Sequence, residues 1–257
     1  MVGSAWEAFA GELALWRDSG KVVELWWRDD DAGHPDPALS RLLKLASRKK
    51  VPLALAAVPA IADRAIFGEI DSEVAVLQHG TDHQNRSAAS DKKSEFPSAE
   101  PVDEALKRLL EGRKRLENAA GELVIPVLVP PWNRLSADLV PRLGAAGYRG
   151  LSTFSVRKVT HSAPGLVSIN THVDLIDWKG TRRFCGIDQA LGQAVRHLAA
   201  RRLGRADAQE PTGWLTHHAV HDEACWTFLE DLFDATQGTT GIHWCSPADL
   251  FVGRSGA

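Results

Sequence analysis

Apolar residues along this chain fall into two alternating rhythms. Nearly continuous apolar runs occupy 21–28, 51–58, 74–79, 123–129, 150–155, 166–171, 212–217 and 242–245. Short runs of this kind, bounded by polar or turn residues, read as strands buried on both faces. Between them the apolar positions recur at helical spacing, over about 36–50, 101–119, 136–147, 187–203 and 223–236. Ahead of the first strand, Trp6, Phe9, Leu13 and Trp16 repeat at helical spacing among Glu7 and Glu12, which predicts an amphipathic helix over 5–17. Asp36-Pro37 and Ser136 supply helix starts, and Gly147 stands where a helix should stop. The segment 84–100 is polar and without period, and reads as a long loop after the third strand.

Alternating strands and helices imply a parallel sheet covered by helices. No glycine-rich phosphate loop follows the first strand, so an open nucleotide-binding sheet is disfavoured. The expectation is α/β: a distorted (β/α) barrel of about seven parallel strands, one domain over 1–257 with its core at 21–222.

Composition acts mainly by exclusion. The chain is 44% apolar and 25% charged, with a formal charge of −3, which gives no reason to expect nucleic acid or an anionic membrane as partner. Cys185, Cys225 and Cys245 are odd in number and form no CxxC pair, against a disulfide framework or a thiolate zinc site. No eighteen apolar residues run together, and no basic segment with an apolar run opens the chain, so a cytoplasmic location is expected. Nine Trp stand against one Tyr, several of them beside polar clusters, where a sugar cleft would use them.

Those clusters sit at the carboxyl ends of the predicted strands, where parallel β/α folds collect their active sites. They are Arg28-Asp29-Asp30-Asp31-Ala32-Gly33, Gln78-His79-Gly80-Thr81-Asp82-His83, Pro130-Pro131-Trp132-Asn133-Arg134, His172-Val173-Asp174 running to Asp177-Trp178, and Thr216-His217-His218. Singly, each has a plain reading: a solvated turn, two surface histidines, a packing turn, a hydrogen-bonded core pair. Together, at one end of successive strands, they mark a site. His79 and His83, at i and i+4, are expected on one helical turn pointing the same way. With a carboxylate from a neighbouring strand end they make the three-ligand set of a hydrolytic metal site. Asp30 and Asp31, adjacent on a strand end, are expected to point in opposite directions, one to the metal and one to the water.

In these motifs the sequence resembles the polysaccharide deacetylase family of carbohydrate esterases. The resemblance implies that Asp30 is the general base and that Asp31, His79 and His83 hold a divalent metal. Asp29 leaves a second register open, with Asp29 and Asp30 as the pair. Gly80 stands where the family has Ser or Thr. Pro130, Pro131 and Trp132 match the third motif, but Leu128 stands where the family has the arginine that orients the base. Arg28 or Arg134 is expected to take over that role. Asp174, Asp177 and Trp178 match the fourth motif, and Leu215 with His217 the fifth. Strand alternation favours His217 over His218 as general acid, with Asp174 as its partner. Pro131, Trp132, Asn133, Asp177 and Trp178 are expected to line the substrate cleft. Zinc is the expected metal, with nickel, cobalt and manganese also suited to such ligands. The reaction implied is removal of an N-acetyl or similar acyl group from a sugar or related small amide, with a small molecule or an oligosaccharide as substrate. A deformylase or ureide-type hydrolase, and a non-catalytic glycan-binding protein, are the alternatives.

Overall fold

A computed structural model describes residues 3–70 and 73–253. Its strands are β1 Val23–Ala32, β2 Leu53–Ala57, β3 Val74–His79, β4 Val124–Val129, β5 Gly150–Leu151, β6 His161–Ala163, β7 Leu166–Ser168, β8 Val173–Asp174, β9 Thr212–Thr216 and β10 Ile242–Trp244. The helices are α1 Gly3–Asp18, α2 Pro37–Lys49, α3 Val102–Ala120, α4 Val140–Ala145, α5 Ile187–Arg202, α6 Glu223–Thr236 and α7 Pro247–Phe251. The strand order is β6-β7-β5-β4-β3-β2-β1-β9-β8, with β10 added beside β1. Every pairing is parallel except β6 with β7.

The two edges of this sheet meet across one stretch of chain. Residues 166–171 bond to the chain at and after β5, through Ile169 N–H to Leu151 O and Thr171 N–H to Thr153 O. Residues 172–175 then turn to β9, through His172 N–H to Gly213 O and Leu175 N–H to Leu215 O. The result is the distorted β/α barrel expected from the sequence, curved around a core rather than closed by a continuous ladder.

Side-chain alternation divides the interior from the helix layer. On β1, Leu25 and Trp27 pack outward with Phe9, Phe228 and Phe233, against α1 and α6. Trp26 packs inward with Ala54, Ala56, Leu77, Val127 and Val129, and Phe251 of α7 plugs the bottom. Gly213 has to be glycine here, since a Cβ would come within 2.3 Å of Trp26 Nε1. Truncating a buried tryptophan of this kind costs about 3–5 kcal/mol. The next inward positions of β1, above Trp26, are Arg28 and Asp30.

Several boundaries depart from the sequence pattern. The first strand runs on to Ala32, because Ala32 still pairs with Ala57 of β2. The fifth and sixth shrink to Gly150–Leu151 and Leu166–Ser168. β6, β8 and α7 are too short to carry a period. The segment 136–147 is helical only over Val140–Ala145. Ser136 accordingly caps no helix: its hydroxyl accepts from Asp138 N at 3.3 Å in the preceding turn. Asp36 does cap α2, accepting from Leu39 N at 2.8 Å. No helix among the described residues is long and apolar enough to cross a membrane.

Candidate metal centre and catalytic cleft

At the carboxyl end of the barrel, a cleft of about 460 Å³ is lined by Asp30, Asp31, His79, His83, Lys93, Trp132, Asn133, Arg134, Asp174, Trp178, Arg182, Leu215 and His217. Asp31 Oδ1 lies 3.0 Å from His79 Nε2 and 3.3 Å from His83 Nε2, so three donor atoms converge on one point. His79 Nδ1 sits 3.0 Å from Val129 O. Donation of Nδ1–H to that carbonyl leaves the Nε2 lone pair for a metal, an outer bond typical of metal-ligating histidines. The donor set therefore fits a divalent ion. Burial opposes ionisation of Asp31, but the hydrogen bond and charge of His79, with His217 and His83, outweigh it and hold the carboxyl well below its usual range. Burial and the neighbouring His79 lower His83.

Two local expectations fail for one reason, positive φ. Asp31 has φ +72° and lies in the stretch where the β1–β2 register shifts, so alternation breaks and Asp30 and Asp31 both face the cleft. His79 is the last residue of β3 and His83 follows a loop, with Gly80 at φ +60° and His83 at +57°. The two imidazoles meet without any helical turn. Glu95 holds that loop, accepting from Thr81 N at 2.8 Å, from the Thr81 hydroxyl and from Asp82 N at 3.2 Å. A Cβ at residue 80 would strike Glu95 and Pro131, so glycine replaces the motif's Ser/Thr and Thr81 supplies the hydroxyl. Nothing in a polar loop marks a carboxylate as buried, so the sequence alone does not point to Glu95.

Arg28 takes the place left by Leu128. Its Nε donates to Asp30 Oδ1 at 2.8 Å and its Nη2 to Oδ2 at 3.0 Å. Ser152 Oγ at 2.6 Å, Thr153 O at 3.4 Å and Asn133 Oδ1 at 3.1 Å accept its three remaining hydrogens. Arg134 does not reach the aspartate; its Nη1 donates to Lys93 O. Leu128 turns outward onto Phe96 and Leu109.

Asp29 faces the helix layer and stays out of the cleft. It accepts from Thr216 Oγ1 at 2.6 Å, His218 N at 3.0 Å and His218 Nδ1 at 2.5 Å. Both neighbours of His217 are thereby tied to one buried carboxylate. Burial opposes its charge, yet His218 lowers Asp29; in turn Asp29 raises His218 against the same burial.

His217 lies in the cleft edge-to-face with Trp178, their ring centroids 4.7 Å apart. Asp174 is close enough for their charges to interact, but its carboxylate accepts from Trp178 Nε1 at 2.9 Å and Ile176 N at 3.0 Å. Burial raises Asp174. Trp132 and Asn133 line the cleft in left-handed backbone, at φ +55° and +56°. Two expected lining residues do not. Pro131 is buried beneath the loop, and Asp177 instead caps a turn by accepting from Gly180 N and Thr181 N.

A second histidine group, His172, His197 and Glu210, is buried near β9. Gly213 N–H donates to His172 Nδ1 at 3.1 Å, which puts the ring hydrogen on Nε2, 3.4 Å from Glu210 Oε2. That nitrogen has no lone pair for a metal, and the group reads as a core network.

This barrel has the fold of solved structures named as polysaccharide deacetylases and family 4 carbohydrate esterases. A Mycobacterium smegmatis protein named as a polysaccharide deacetylase superposes with a TM-score of 0.66 at 17% identity, over 91% of this chain and 90% of that one. The Bc1960 peptidoglycan N-acetylglucosamine deacetylase, bound to a hydroxamate-type benzamide, gives 0.57 at 15% identity over 90% and 89%. A family 4 acetyl xylan esterase from Clostridium thermocellum, with a cobalt ion, gives 0.51 at 12% over 89% and 90%. No family model matches the chain. No curated protein matches it.

Proposed function

We propose that this protein is a metal-dependent deacetylase, hydrolysing an N-acetyl or similar small acyl amide on a sugar. The observation that carries the reading is the convergence of Asp31 Oδ1, His79 Nε2 and His83 Nε2 beside a carboxylate, Asp30, locked by an arginine. Asp31, His79 and His83 would hold the ion, zinc first among the candidates. A divalent ion bound there polarises the acyl carbonyl and makes water a competent nucleophile near neutral pH.

The remaining work falls to the chain's own side chains. Asp30 takes a proton from the attacking water, and Arg28 fixes both its oxygens so that the lone pairs facing the cleft are aimed. His217 gives a proton to the departing nitrogen as the carbon–nitrogen bond breaks, which leaves a free amine and a carboxylate. Asp29 keeps His217 in place through its two neighbours. Trp132 and Trp178 offer flat faces for a pyranose ring. Structural neighbours named as a peptidoglycan N-acetylglucosamine deacetylase and as an acetyl xylan esterase, the latter with a cobalt ion, support this reading.

The experiment is an acetate-release screen over N-acetyl sugars with metal-loaded wild type and Asp30→Asn. Release by wild type, with retained metal and lost activity in Asp30→Asn, is the expected result. Full activity in Asp30→Asn would move the base elsewhere.

A further inference from the structure

The catalytic cleft carries three cations that its chemistry does not use. Lys93 and Arg134 enter from the loops after β3 and β4, and Arg182 from the turn after β8. Lys93 Nζ lies 5.9 Å from the Trp132 ring centroid, and Trp132 in turn touches His83, with centroids 4.5 Å apart. On the opposite wall, the Arg182 guanidinium lies 5.8 Å from the Trp178 ring centroid, and Trp178 touches His217. Each wall therefore repeats one order outward from the reacting centre: a histidine, a tryptophan face, a cation. Arg134 adds a third positive charge next to Asn133.

Among the described residues, none of the three has an ion-pair partner. The acidic residues lining the cleft are Asp30, Asp31 and Asp174, and each is engaged: with Arg28, with the two histidines, and with Trp178 Nε1 and Ile176 N. The backbone beneath the cations is held. Arg134 Nη1 donates to Lys93 O, Ser94 Oγ donates to Arg134 O, and Ser94 N donates to Asn85 Oδ1. Arg182 sits at φ +55°, a left-handed position that its N–H secures by donating to Asp177 O at 2.8 Å. Positive charge on the rim of a concave site focuses the field inward and raises the local concentration of anions. Arginine in particular matches carboxylate and phosphate with two parallel hydrogen bonds.

We infer that the sugar this cleft accepts is anionic, bearing a carboxylate or phosphate within one ring of the scissile amide. This rests on the deacetylase reading for the amide but not for the charge, so binding and turnover separate the two.

The test measures binding of three probes to the metal-loaded full chain by titration calorimetry at rising salt: N-acetylglucosamine, N-acetylglucosamine 1-phosphate and N-acetylmuramic acid. At least one charged probe should bind about tenfold or more tighter than the neutral sugar, the worth of one charged hydrogen-bonded contact. The advantage should shrink as salt screens it, and again in Arg134→Ala/Arg182→Ala. The tighter of the two charged probes identifies the group. Equal affinity for all three, no binding by either charged probe, or a preference indifferent to salt and to the double variant, overturns the inference. Charge-selective binding without acetate release from any probe would sustain it while defeating the hydrolase reading. Acetate release equally fast from neutral and charged sugars would do the reverse.

Discussion

Arg28 grips Asp30 from two residues earlier on the same strand, with both oxygens of the carboxylate held by the guanidinium fork. The pair is possible because alternation puts both side chains inside the barrel, above Trp26. Both partners are buried, at 0% and 3% side-chain exposure, so the geometry is enforced by packing.

Arg28→Lys tests that grip. Lysine keeps the charge but loses the planar fork, so Asp30 turns freely. The expected outcome is a fall in kcat of about 10²-fold, the order lost when a catalytic group is misplaced by an ångström. Metal content should be unchanged, which separates the effect from loss of the ion. Steady-state kinetics with metal analysis on the same preparation checks both.

Asp29→Ala should destabilise the fold by about 3–5 kcal/mol, because it removes the buried carboxylate that pairs with His218 Nδ1 and leaves only Asp36, 3.6 Å from Nε2, to answer its charge. The pH dependence follows from the two shifts. Asp29 is lowered, so its contribution is complete above the unfolded carboxylate's 3.8 and fades as pH falls through the folded value. His218 is raised, so its contribution is complete below 6.5 and fades as pH rises through the folded value. Urea midpoints of wild type and variant should thus differ most between those two values and draw together on either side. A gap constant with pH would show that the pair is held by something other than charge.

His217→Ala should slow amide hydrolysis by about 10²-fold or more while sparing an activated aryl ester, whose leaving group needs little protonation. Parallel assays on the two substrates read the ratio directly. Equal losses on both would remove His217 as the acid.

Much of this architecture is visible in the sequence, and the departures have physical causes. The strand–helix rhythm identifies the barrel because long buried strands and amphipathic helices leave strong periodic signals. It misplaces 136–147, where Pro141 and a preceding turn confine the helix to Val140–Ala145. The motif residues Asp31, His79 and His83 are brought together, yet by bulge and loop rather than by the strand alternation and helical turn that spacing suggests. Arg28 and Arg134 look equivalent in sequence; only the inward register of β1 separates them. Asp177 reads like a cleft residue from its neighbour Trp178, but its carboxylate is consumed by two backbone N–H groups. Glu95 and the unpaired cations escape a reading of patterns, since their meaning depends on what lies across the cleft.

Metal binding by the three converging side chains is the claim from which the rest descends. Titration of metal-free wild type, His79→Ala and His83→Ala with zinc, followed by calorimetry, tests it without any substrate. The expected result is a single tight site per wild-type chain, weakened by orders of magnitude in each variant while the melting transition stays cooperative. Stoichiometric zinc in His79→Ala, with wild-type affinity, would contradict the account.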